Sequence, residues 1–304
     1  MKLGFIGLGN MGLNMVRNLV AKGNDLVVWN RSEGPRNEAK SIGADSRADL
    51  NELVSKLNPP RIIFSMISAG EPVDQILFGN GENSLFELLE NGDIFIDGAN
   101  SHYKDSKRRA EKLAEKNIKM LDAGISGGIE GARNGLCAMV GGDEEAFKNA
   151  ESLFRDLSRE GGYGYFGNSG AGHFVKMIHN AIEYGMMQSI AEGLNLLEAS
   201  DYKQDLKKLV NVWNNGSIIQ SRLLEFLRSA LEKNQAENLP AEIGSLGTGK
   251  WASIEALQKD IPFGSITNAV FNRHQSRGNG NFAFKLIQLL RSEFGGHKSE
   301  DRED

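Results

Sequence analysis

The stretch KLGFIGLGNMG (residues 2–12) decides how the first half of the chain folds. A short apolar strand leads directly into glycines spaced G-x-G-x-x-G, and a helical pattern follows. In this spacing the first glycine makes a tight turn, the second lets the backbone approach a pyrophosphate, and the third lets helix and strand pack closely. The helix N-terminus adds backbone donors and a positive dipole. A tight turn without a ligand is the alternative. We expect dinucleotide binding by Gly7, Leu8, Gly9, Asn10, Met11 and Gly12.

Apolar runs alternate with helical patterns up to about residue 166. The runs are DLVVWN, RIIFSMI, DIFIDGAN, KMLDAGI and CAMVGG. Strands that alternate with helices indicate crossover units and a mostly parallel sheet. Beyond the glycine-rich REGGYGYFGNSGAG (residues 159–172) no strand pattern recurs. The predicted fold is therefore α/β, with a Rossmann-type doubly wound domain at residues 1–166 and an all-α domain at residues 167–304.

Composition narrows the class of protein. The 304 residues are 40% hydrophobic and 25% charged, with a net charge of -5, which are ordinary globular values. Basic blocks that would bind nucleic acid are missing from the sequence, so we expect small-molecule partners. The single cysteine, Cys137, excludes an intramolecular disulfide and lies in an apolar run, which favours a buried structural thiol. With neither a signal-peptide layout nor a long apolar span, we expect a soluble, cytoplasmic protein without a membrane partner.

The end of the second predicted strand bears on the choice of dinucleotide. NAD sites usually have Asp or Glu there, to accept a hydrogen bond from the ribose 2'-hydroxyl. This chain has Asn30, Arg31 and Ser32 instead. A carboxylate would repel a 2'-phosphate, whereas the guanidinium of Arg31 can pair with it through two hydrogen bonds. The pattern favours NADP over NAD. Alternatively, Arg31 is a solvated loop charge and Glu33 binds the ribose.

Three further strand ends carry polar groups or glycines. Ligands of such sheets bind beyond the carboxyl ends of the strands, so these segments should meet at one site. We expect the first two segments to face the cofactor, and the hydroxyl and backbone donors of the third suit a substrate carboxylate or hydroxyl. They are FSMISAG with Met66 and Ser68, IDGANS with Asn100, and DAGISGG with Ser126, Gly127 and Gly128.

The segment HFVKMIHNAIEY (residues 173–184) is an apolar helix pattern with many polar groups. At helical spacing the polar groups share one face, opposite an apolar side that we expect to pack. A solvated polar face is the common alternative. Oxidising a hydroxyl beside a nicotinamide requires a base, and burial favours the neutral form of a lysine, so Lys176 is the candidate base. Glu183, two turns away, is the candidate acid. The polar face comprises Lys176, His179, Asn180, Glu183 and Tyr184; the apolar side comprises Val175, Ile178, Ile182 and Met186.

Together with GTGKW (residues 247–251) and FGGH (residues 294–297), these segments resemble the decarboxylating 6-phosphogluconate dehydrogenases, in their short form. The match extends from Gly7 to His297. The related 3-hydroxyacid dehydrogenases share the glycine turn, the SGG segment and the lysine. The resemblance implies oxidative decarboxylation of 6-phosphogluconate to ribulose 5-phosphate and CO2, with reduction of NADP and no metal, as in the pentose phosphate pathway.

The resemblance also implies roles for individual residues. Lys176 would be base and acid, and Glu183 the second acid. This chain has Ala252 where longer relatives have threonine, which removes one phosphate donor. A tail shared between subunits would require a homodimer or homotetramer. The remaining roles are positioning by Asn180 and Ser126 to Gly128, contacts from Asn100 and His179, phosphate binding by Tyr184, Lys250 and Arg273, and Arg291 and His297 supplied by a partner subunit.

Two other functions remain open from the sequence. One is a 3-hydroxyacid dehydrogenase acting on an unphosphorylated acid such as 3-hydroxyisobutyrate, and the other is a non-catalytic nucleotide-sensing or scaffold protein. The cations Lys250, Arg273 and Arg291 exceed what a small acid needs, which favours a phosphorylated substrate. Retention of both Lys176 and Glu183 argues against a non-catalytic protein.

Overall fold

The structure is a computed structural model that describes residues 1–79, 81–202, 204–233, 242–277 and 281–295. The chain divides into two packed units, Met1–Lys176 and Met177–Asp304. In the described parts of the chain, none of the helices combines the length and the apolar character needed to cross a membrane.

The first unit is a twisted sheet with helices on both faces. The strands run in the order β3-β2-β1-β4-β5-β6-β7-β8. The first six of these pair in parallel, β7 is antiparallel to β6, and β8 is parallel to β7. This confirms the predicted α/β class. The strands are β1 Lys2–Ile6, β2 Asp25–Trp29, β3 Asp45–Ser46, β4 Ile62–Ser65, β5 Ile94–Asp97, β6 Lys119–Ser126, β7 Leu136–Gly142 and β8 Ser158–Tyr165.

The helices of this unit connect successive strands. One face of the sheet packs on α1 and α8 through side chains such as Phe5 and Phe154, and the other packs on α3, α4 and α6 through Phe95 and Leu113. Apolar side chains on both faces of the strands account for their nearly continuous apolar sequences. The helices are α1 Asn10–Ala21, α2 Glu33–Ser41, α3 Leu50–Ser55, α4 Glu71–Phe78, α5 Leu85–Leu88, α6 Tyr103–Ala114, α7 Gly128–Asn134 and α8 Glu144–Leu157.

Two strands were not predicted. The two-residue β3 is too short to leave a hydrophobic pattern, and β8 lies in the glycine-rich stretch that we interpreted as a connection. Tyr163 packs on the core and Tyr165 donates a hydrogen bond to Gly142 O at 2.9 Å. Because glycines occupy the intervening positions, the alternation that marks a strand was hidden.

The regular elements of the second unit, in its described residues, are all helices, as predicted. Helix α9 begins within the first unit and continues into the second. Leucines and small residues on the facing sides of the helices form the core, including Leu194, Leu224, Leu227, Leu286 and Leu290. The helices are α9 Ala171–Glu198, α10 Leu206–Trp213, α11 Arg222–Glu232, α12 Thr248–Gln258, α13 Gly264–Gln275 and α14 Phe282–Gly295.

The orientation of α9 differs from the prediction. Ile182 and Met186, which we expected to pack, are 50% and 43% exposed in the single chain. Lys176 and Tyr184, on the predicted polar face, are buried. Hydrophobic periodicity locates an apolar side but does not say whether that side faces the chain's own core. Within the single chain, the part of the apolar side formed by Ile182 and Met186 therefore does not pack, whereas Val175 and Ile178 are half-buried.

Candidate active site

The glycine turn after β1 has the geometry that the fingerprint requires. Gly7 has φ +93° and donates a hydrogen bond to Trp29 O at 3.0 Å. A Cβ added to Gly12 would lie 1.9 Å from Gly7 O, so only glycine lets the helix approach the strand here. A Cβ added to Gly9 would meet nothing within 4 Å. This open space at the N-terminus of α1 fits a dinucleotide phosphate.

The end of β2 is tied to the same turn. Leu8 N donates to Asn30 Oδ1 at 3.0 Å, and Asn30 Nδ2 donates to Ser32 O at 3.2 Å. Arg31 and Ser32 are exposed, immediately before α2, as is Glu33 in its first turn. A cavity of about 560 Å³ beside the turn is lined in part by Leu8, Gly9 and Asn10. Asn30 therefore orders the turn, and the side chains of Arg31 and Ser32 remain accessible.

The other predicted strand-end residues lie at the same edge of the sheet. The strands β1, β2, β4, β5 and β6 are parallel, so their carboxyl ends share that edge. Met66 follows β4 directly and its N–H donates to Ile6 O at 2.7 Å. Half-buried Asn100 follows β5 and half-buried Ser126 ends β6, whereas Ser68 is exposed. Gly127 and Gly128 both have positive φ, 122° and 62°, where β6 turns into α7.

A carboxylate on β6 caps the beginning of α9. Asp122 is buried, and its two carboxylate oxygens accept hydrogen bonds from Gly170 N at 2.7 Å and His173 N at 2.8 Å. These N–H groups lie at the beginning of the helix, where backbone N–H groups have no acceptors within the helix itself. A carboxylate there is also favoured by the helix dipole. Asp122 was not among the predicted site residues, although its alternation with Gly124 and Ser126 on one face of the strand was a signal for it.

Lys176 is held against β6 by close backbone packing. Its side chain is 7% exposed. A Cβ added to Gly124 would lie 2.2 Å from Lys176 Cβ, and one added to Gly172 would lie 2.3 Å from Asp122 O. Glycines on both elements therefore let α9 approach the strand and set the position of the lysine.

Cys137 lies opposite Ser126 in the pairing of β6 and β7. It is exposed, so the prediction of a buried thiol is wrong; its position near the end of the ladder leaves the side chain uncovered. Partial desolvation raises the pKa of the thiol, and the nearby charge of Lys176 opposes this effect. The raised pKa keeps the sulfur in its less reactive thiol form.

Polar groups continue along α9 in the second unit. His179 Nδ1 lies 3.1 Å from Asn180 Oδ1 and 4.0 Å from Glu183 Oε2. All three side chains are half-buried. These groups form a hydrogen-bonding surface on one side of the helix.

An aromatic ring and a buried cation form the centre of a cluster in the second unit. Arg273 Cζ lies 3.3 Å from the centroid of the Tyr184 ring, and both residues are buried. Arg273 Nη1 donates to Gly244 O at 3.3 Å, whereas the buried Nη2 has no hydrogen-bond partner among the residues that the structure describes. Burial lowers the pKa of Arg273. Burial acts to raise the pKa of Tyr184, but Arg273 and the hydroxyls of Ser245 and Thr248 hold it below its usual value. An unsatisfied buried cation is suited to an anion.

A second buried guanidinium completes this cluster. Arg291 Nη1 donates to Gln288 Oε1 at 2.9 Å, and that oxygen also accepts from Gly244 N at 3.4 Å. The charge of Arg291 acts on Tyr184 of the same chain. This differs from the expectation that Arg291 projects into a partner subunit. The apolar side of α14, with Leu290, packs in the core and turns Arg291 inward.

The remaining predicted residues are placed as follows. Lys250 is exposed on α12, and Ala252 on the same helix is buried. His297 lies outside the described residues. Among the described residues, His, Cys, Asp and Glu side chains do not form any group of three or more that could hold a metal ion.

Both units match known protein families. Residues 2–167 match the family model of the NAD binding domain of 6-phosphogluconate dehydrogenase, and residues 172–283 match that of the 6-phosphogluconate dehydrogenase C-terminal domain. The chain is 42% identical to a putative 6-phosphogluconate dehydrogenase of Bacillus subtilis, over 99% of this chain and 100% of that protein. It is 34% identical to the NAD(+)-dependent, decarboxylating 6-phosphogluconate dehydrogenase of Haloferax volcanii, over 100% of both chains.

A solved structure is similar as well. The 6-phosphogluconate dehydrogenase of Plasmodium falciparum, solved in its apo form, with NADP+ and with 6-phosphogluconate, is 32% identical with a TM-score of 0.82. The match covers 96% of this chain and 64% of that one, so this chain is the shorter of the two.

Proposed function

The chain belongs to the 6-phosphogluconate dehydrogenase family, and on that premise we propose that it converts 6-phosphogluconate to ribulose 5-phosphate and CO2 while reducing NADP. The proposal includes a place in the pentose phosphate pathway. It also includes the cytoplasm as the location, since a chain with one cysteine needs no oxidising compartment. We further propose that the nucleotide-binding domain ends near residue 166 and that residues 167–304 form the substrate domain.

The buried Nη2 of Arg273, for which no described residue supplies a hydrogen-bond partner, is the observation that carries this proposal. A buried donor without a partner is costly unless a ligand satisfies it, and a phosphoryl group supplies acceptor oxygens and two negative charges. Arg291 and Tyr184 lie in the same cluster. An unphosphorylated acid such as 3-hydroxyisobutyrate would leave these groups without use, which argues against the alternative substrate.

The proposed chemistry assigns the proton transfers to two side chains, Lys176 and Glu183. The bound dinucleotide supplies the hydride acceptor. Lys176 takes the proton of the substrate hydroxyl as the hydride leaves the same carbon. The resulting ketone lies beta to the carboxylate and loses CO2, and the protonated lysine stabilises the charge that develops on the enolate oxygen and returns its proton there to give the enediol. Glu183 then protonates the terminal carbon of the enediol.

The seating of Lys176 supports its role. Asp122 and Gly124 hold the first turns of α9 on β6, so the amine is attached to a rigid element rather than to a loop. Ser126, two residues beyond Gly124, offers its hydroxyl at the end of the same strand. With Asn100, His179 and Asn180, it is proposed to position the substrate.

The cofactor preference rests on the end of β2. Asn30 is engaged with Leu8 N and Ser32 O, so discrimination falls to the exposed Arg31 and Ser32. A guanidinium and a hydroxyl suit a 2'-phosphate, which supports NADP. The carboxylate of Glu33 lies one residue after Ser32. It would accept a hydrogen bond from the ribose 2'-hydroxyl only if NAD were the preferred cofactor.

We also propose that the protein is a homo-oligomer. Ile182 and Met186 of α9, Leu257 of α12 and Phe271 of α13 are exposed large apolar side chains in the second unit. Exposed large apolar side chains on helices are typical of protein interfaces. Light scattering of the Met186→Asp variant tests this: a lower mass than that of the unmodified protein supports oligomerisation through α9.

A coupled assay tests the function. Purified protein is offered NADP or NAD with 6-phosphogluconate, gluconate or 3-hydroxyisobutyrate, and reduced cofactor and CO2 are recorded together. We expect equal amounts of both products from 6-phosphogluconate and little turnover of the other acids. The Lys176→Met variant keeps the aliphatic volume and should bind NADP without forming either product. Equal turnover of gluconate and 6-phosphogluconate would refute the proposal.

A further inference from the structure

A buried arginine on α6 has no role in the reaction described above. Arg109 ends the stretch DGANSHYKDSKRR (residues 97–109) and its side chain is 0% exposed. We propose that Arg109 is a positioning residue: its guanidinium fixes the loop that follows β4, with Met66 and Ser68, relative to the loop that follows β5, with Asn100. This inference rests on the proposed function.

Arg109 binds the first of these loops at its end. Its Nε and Nη2 donate to the two carboxylate oxygens of Asp74 at 3.0 and 3.1 Å. Nη2 also donates to Gly70 O at 2.9 Å. Gly70 closes the loop and is the N-cap of α4, where its φ of +80° requires glycine. The guanidinium therefore anchors both the loop backbone and the helix that follows.

Arg109 binds the second loop through two other groups. Nη1 donates to Asp97 Oδ2 at 3.2 Å and to Ser101 Oγ at 3.0 Å. Ser101 Oγ in turn donates to Asp97 Oδ2 at 2.9 Å, and Ala99 N donates to Asp97 Oδ1 at 3.0 Å. Asn100 thus lies between two residues whose positions are set by this network.

The network uses the full donor capacity of an arginine. A guanidinium has five N–H donors, and the five contacts account for all of them. Lysine has three donors on a compact ammonium group and cannot reach the same acceptors simultaneously. The carboxylates of Asp74 and Asp97 compensate the buried charge. Arginine, and not lysine, can therefore bind both loops at once.

The two loops belong to neighbouring strands. Ser65 pairs with Asp97 in the register of β4 and β5, and Gly98 N donates to Ser65 O at 2.8 Å. Helix α6 also contacts the beginning of α9, because Ser106 Oγ lies 2.7 Å from His173 Nδ1, three residues before Lys176. One helix thus connects the proposed cofactor loops with the helix that bears the base. A displacement of about 1 Å in such a site costs about 100-fold in rate.

The test compares two variants with a matched control. Arg109→Lys keeps the charge but removes the planar guanidinium and its five donors. Ser101→Ala removes the two hydrogen bonds of the Ser101 hydroxyl, with Arg109 and with Asp97, and leaves the contacts of Arg109 with Asp74 and Gly70 in place. Arg108→Lys is the control, since Arg108 is exposed and binds the same Asp74 at 2.8 Å without reaching Asp97 or Gly70. For each protein, Tm, the Kd of reduced cofactor from a fluorescence titration, kcat and both KM values are measured.

We expect Arg109→Lys to weaken cofactor binding about tenfold or more and to lower kcat about 100-fold. Ser101→Ala should shift the same parameters in the same direction to a smaller extent, and Arg108→Lys should match the unmodified protein. A purely structural role would lower Tm and the active fraction without changing the cofactor Kd.

Unchanged cofactor Kd and kcat in both Arg109→Lys and Ser101→Ala would overturn the inference. If Arg109→Lys fails to fold, Ser101→Ala decides alone. The cofactor titration needs no substrate, so an error in the assigned substrate would appear as inactive unmodified protein with its cofactor binding intact. Failure of the proposed function and failure of the proposed role of Arg109 are therefore distinguishable.

Discussion

The contact between β6 and α9 makes the sharpest prediction, which concerns Gly124→Ala. The added Cβ would lie 2.2 Å from Lys176 Cβ and 3.0 Å from Gly172 O. Carbon atoms in contact are about 3.5 Å apart or more, so the helix or the strand must move by about 1.3 Å. The helix cannot easily yield, because Gly172 already lies against Asp122 O and the same aspartate caps the first turn.

We expect Gly124→Ala to lose about 1–3 kcal/mol of stability from overpacking. We also expect kcat to fall about 100-fold, because the amine of Lys176 moves by about 1 Å. The KM for NADP should change little, because the glycine turn is not involved. Chemical denaturation gives the stability, and initial rates with 6-phosphogluconate give kcat.

Two comparisons separate the fold from the chemistry. Gly131→Ala, on α7, is the control. Its added Cβ would lie no closer than 3.6 Å to the neighbouring atoms, which is ordinary contact. Adding Gly124→Ala to Lys176→Met should lower stability again but cost no further activity, because residues that act together are not additive. A Gly124→Ala protein with unchanged kcat would refute the argument that β6 seats the base.

Other predictions test the cofactor, the phosphate, the pH dependence and the subunits. Arg31→Asp should raise the KM for NADP at least about tenfold more than that for NAD, since it adds repulsion against the 2'-phosphate. Arg273→Met should raise the KM for 6-phosphogluconate about 30-fold or more and leave the Kd of NADP unchanged. Burial acts to raise the pKa of Asp74, but Arg109 and Arg108 hold it below 3.8, so its stabilisation is present above about pH 4 and lost as pH falls through the lowered pKa. The stability difference from Asp74→Asn, measured by denaturation across pH, should therefore shrink in acid. Exchanging subunits of Lys176→Met and Arg291→Met should restore no activity if Arg291 acts within its own chain; recovery would mean that it acts on the partner.

The sequence predicted those features that depend on local spacing. The glycine turn could be recognised because each glycine has a separate steric reason, and the helical half could be recognised from its periodic leucines. Strand β8 was missed because glycines interrupt its alternation. The burial of Lys176 was predicted, because a catalytic base needs a lowered pKa. The exposure of Ile182 was not predicted, because periodicity does not identify which neighbour covers an apolar side.

The missed site residues have a common physical reason. Asp122, Gly124 and Arg109 act on backbone groups and side chains that are distant in sequence. For example, Arg109 binds Gly70 O, 39 residues away. Their motifs were visible in DAGISGG and DGANSHYKDSKRR, but spacing along a chain does not reveal a partner on another strand. Arg291 was assigned to a partner subunit through resemblance, and the packing of α14 in the single chain turns it inward.

The cost of the unpaired Arg273 donor bears on substrate choice. An unsatisfied buried donor costs about 1–3 kcal/mol. In the proposed site, a phosphorylated substrate would remove that cost by accepting from Nη2, whereas gluconate would leave it in place. The difference alone discriminates between the two acids by about 5- to 150-fold, before any Coulombic attraction to Arg291 is included. The buried Arg273 donor on α13 makes the protein without ligand less stable than it could be. The binding energy of a phosphoryl group would be larger as a result, because binding would satisfy that donor.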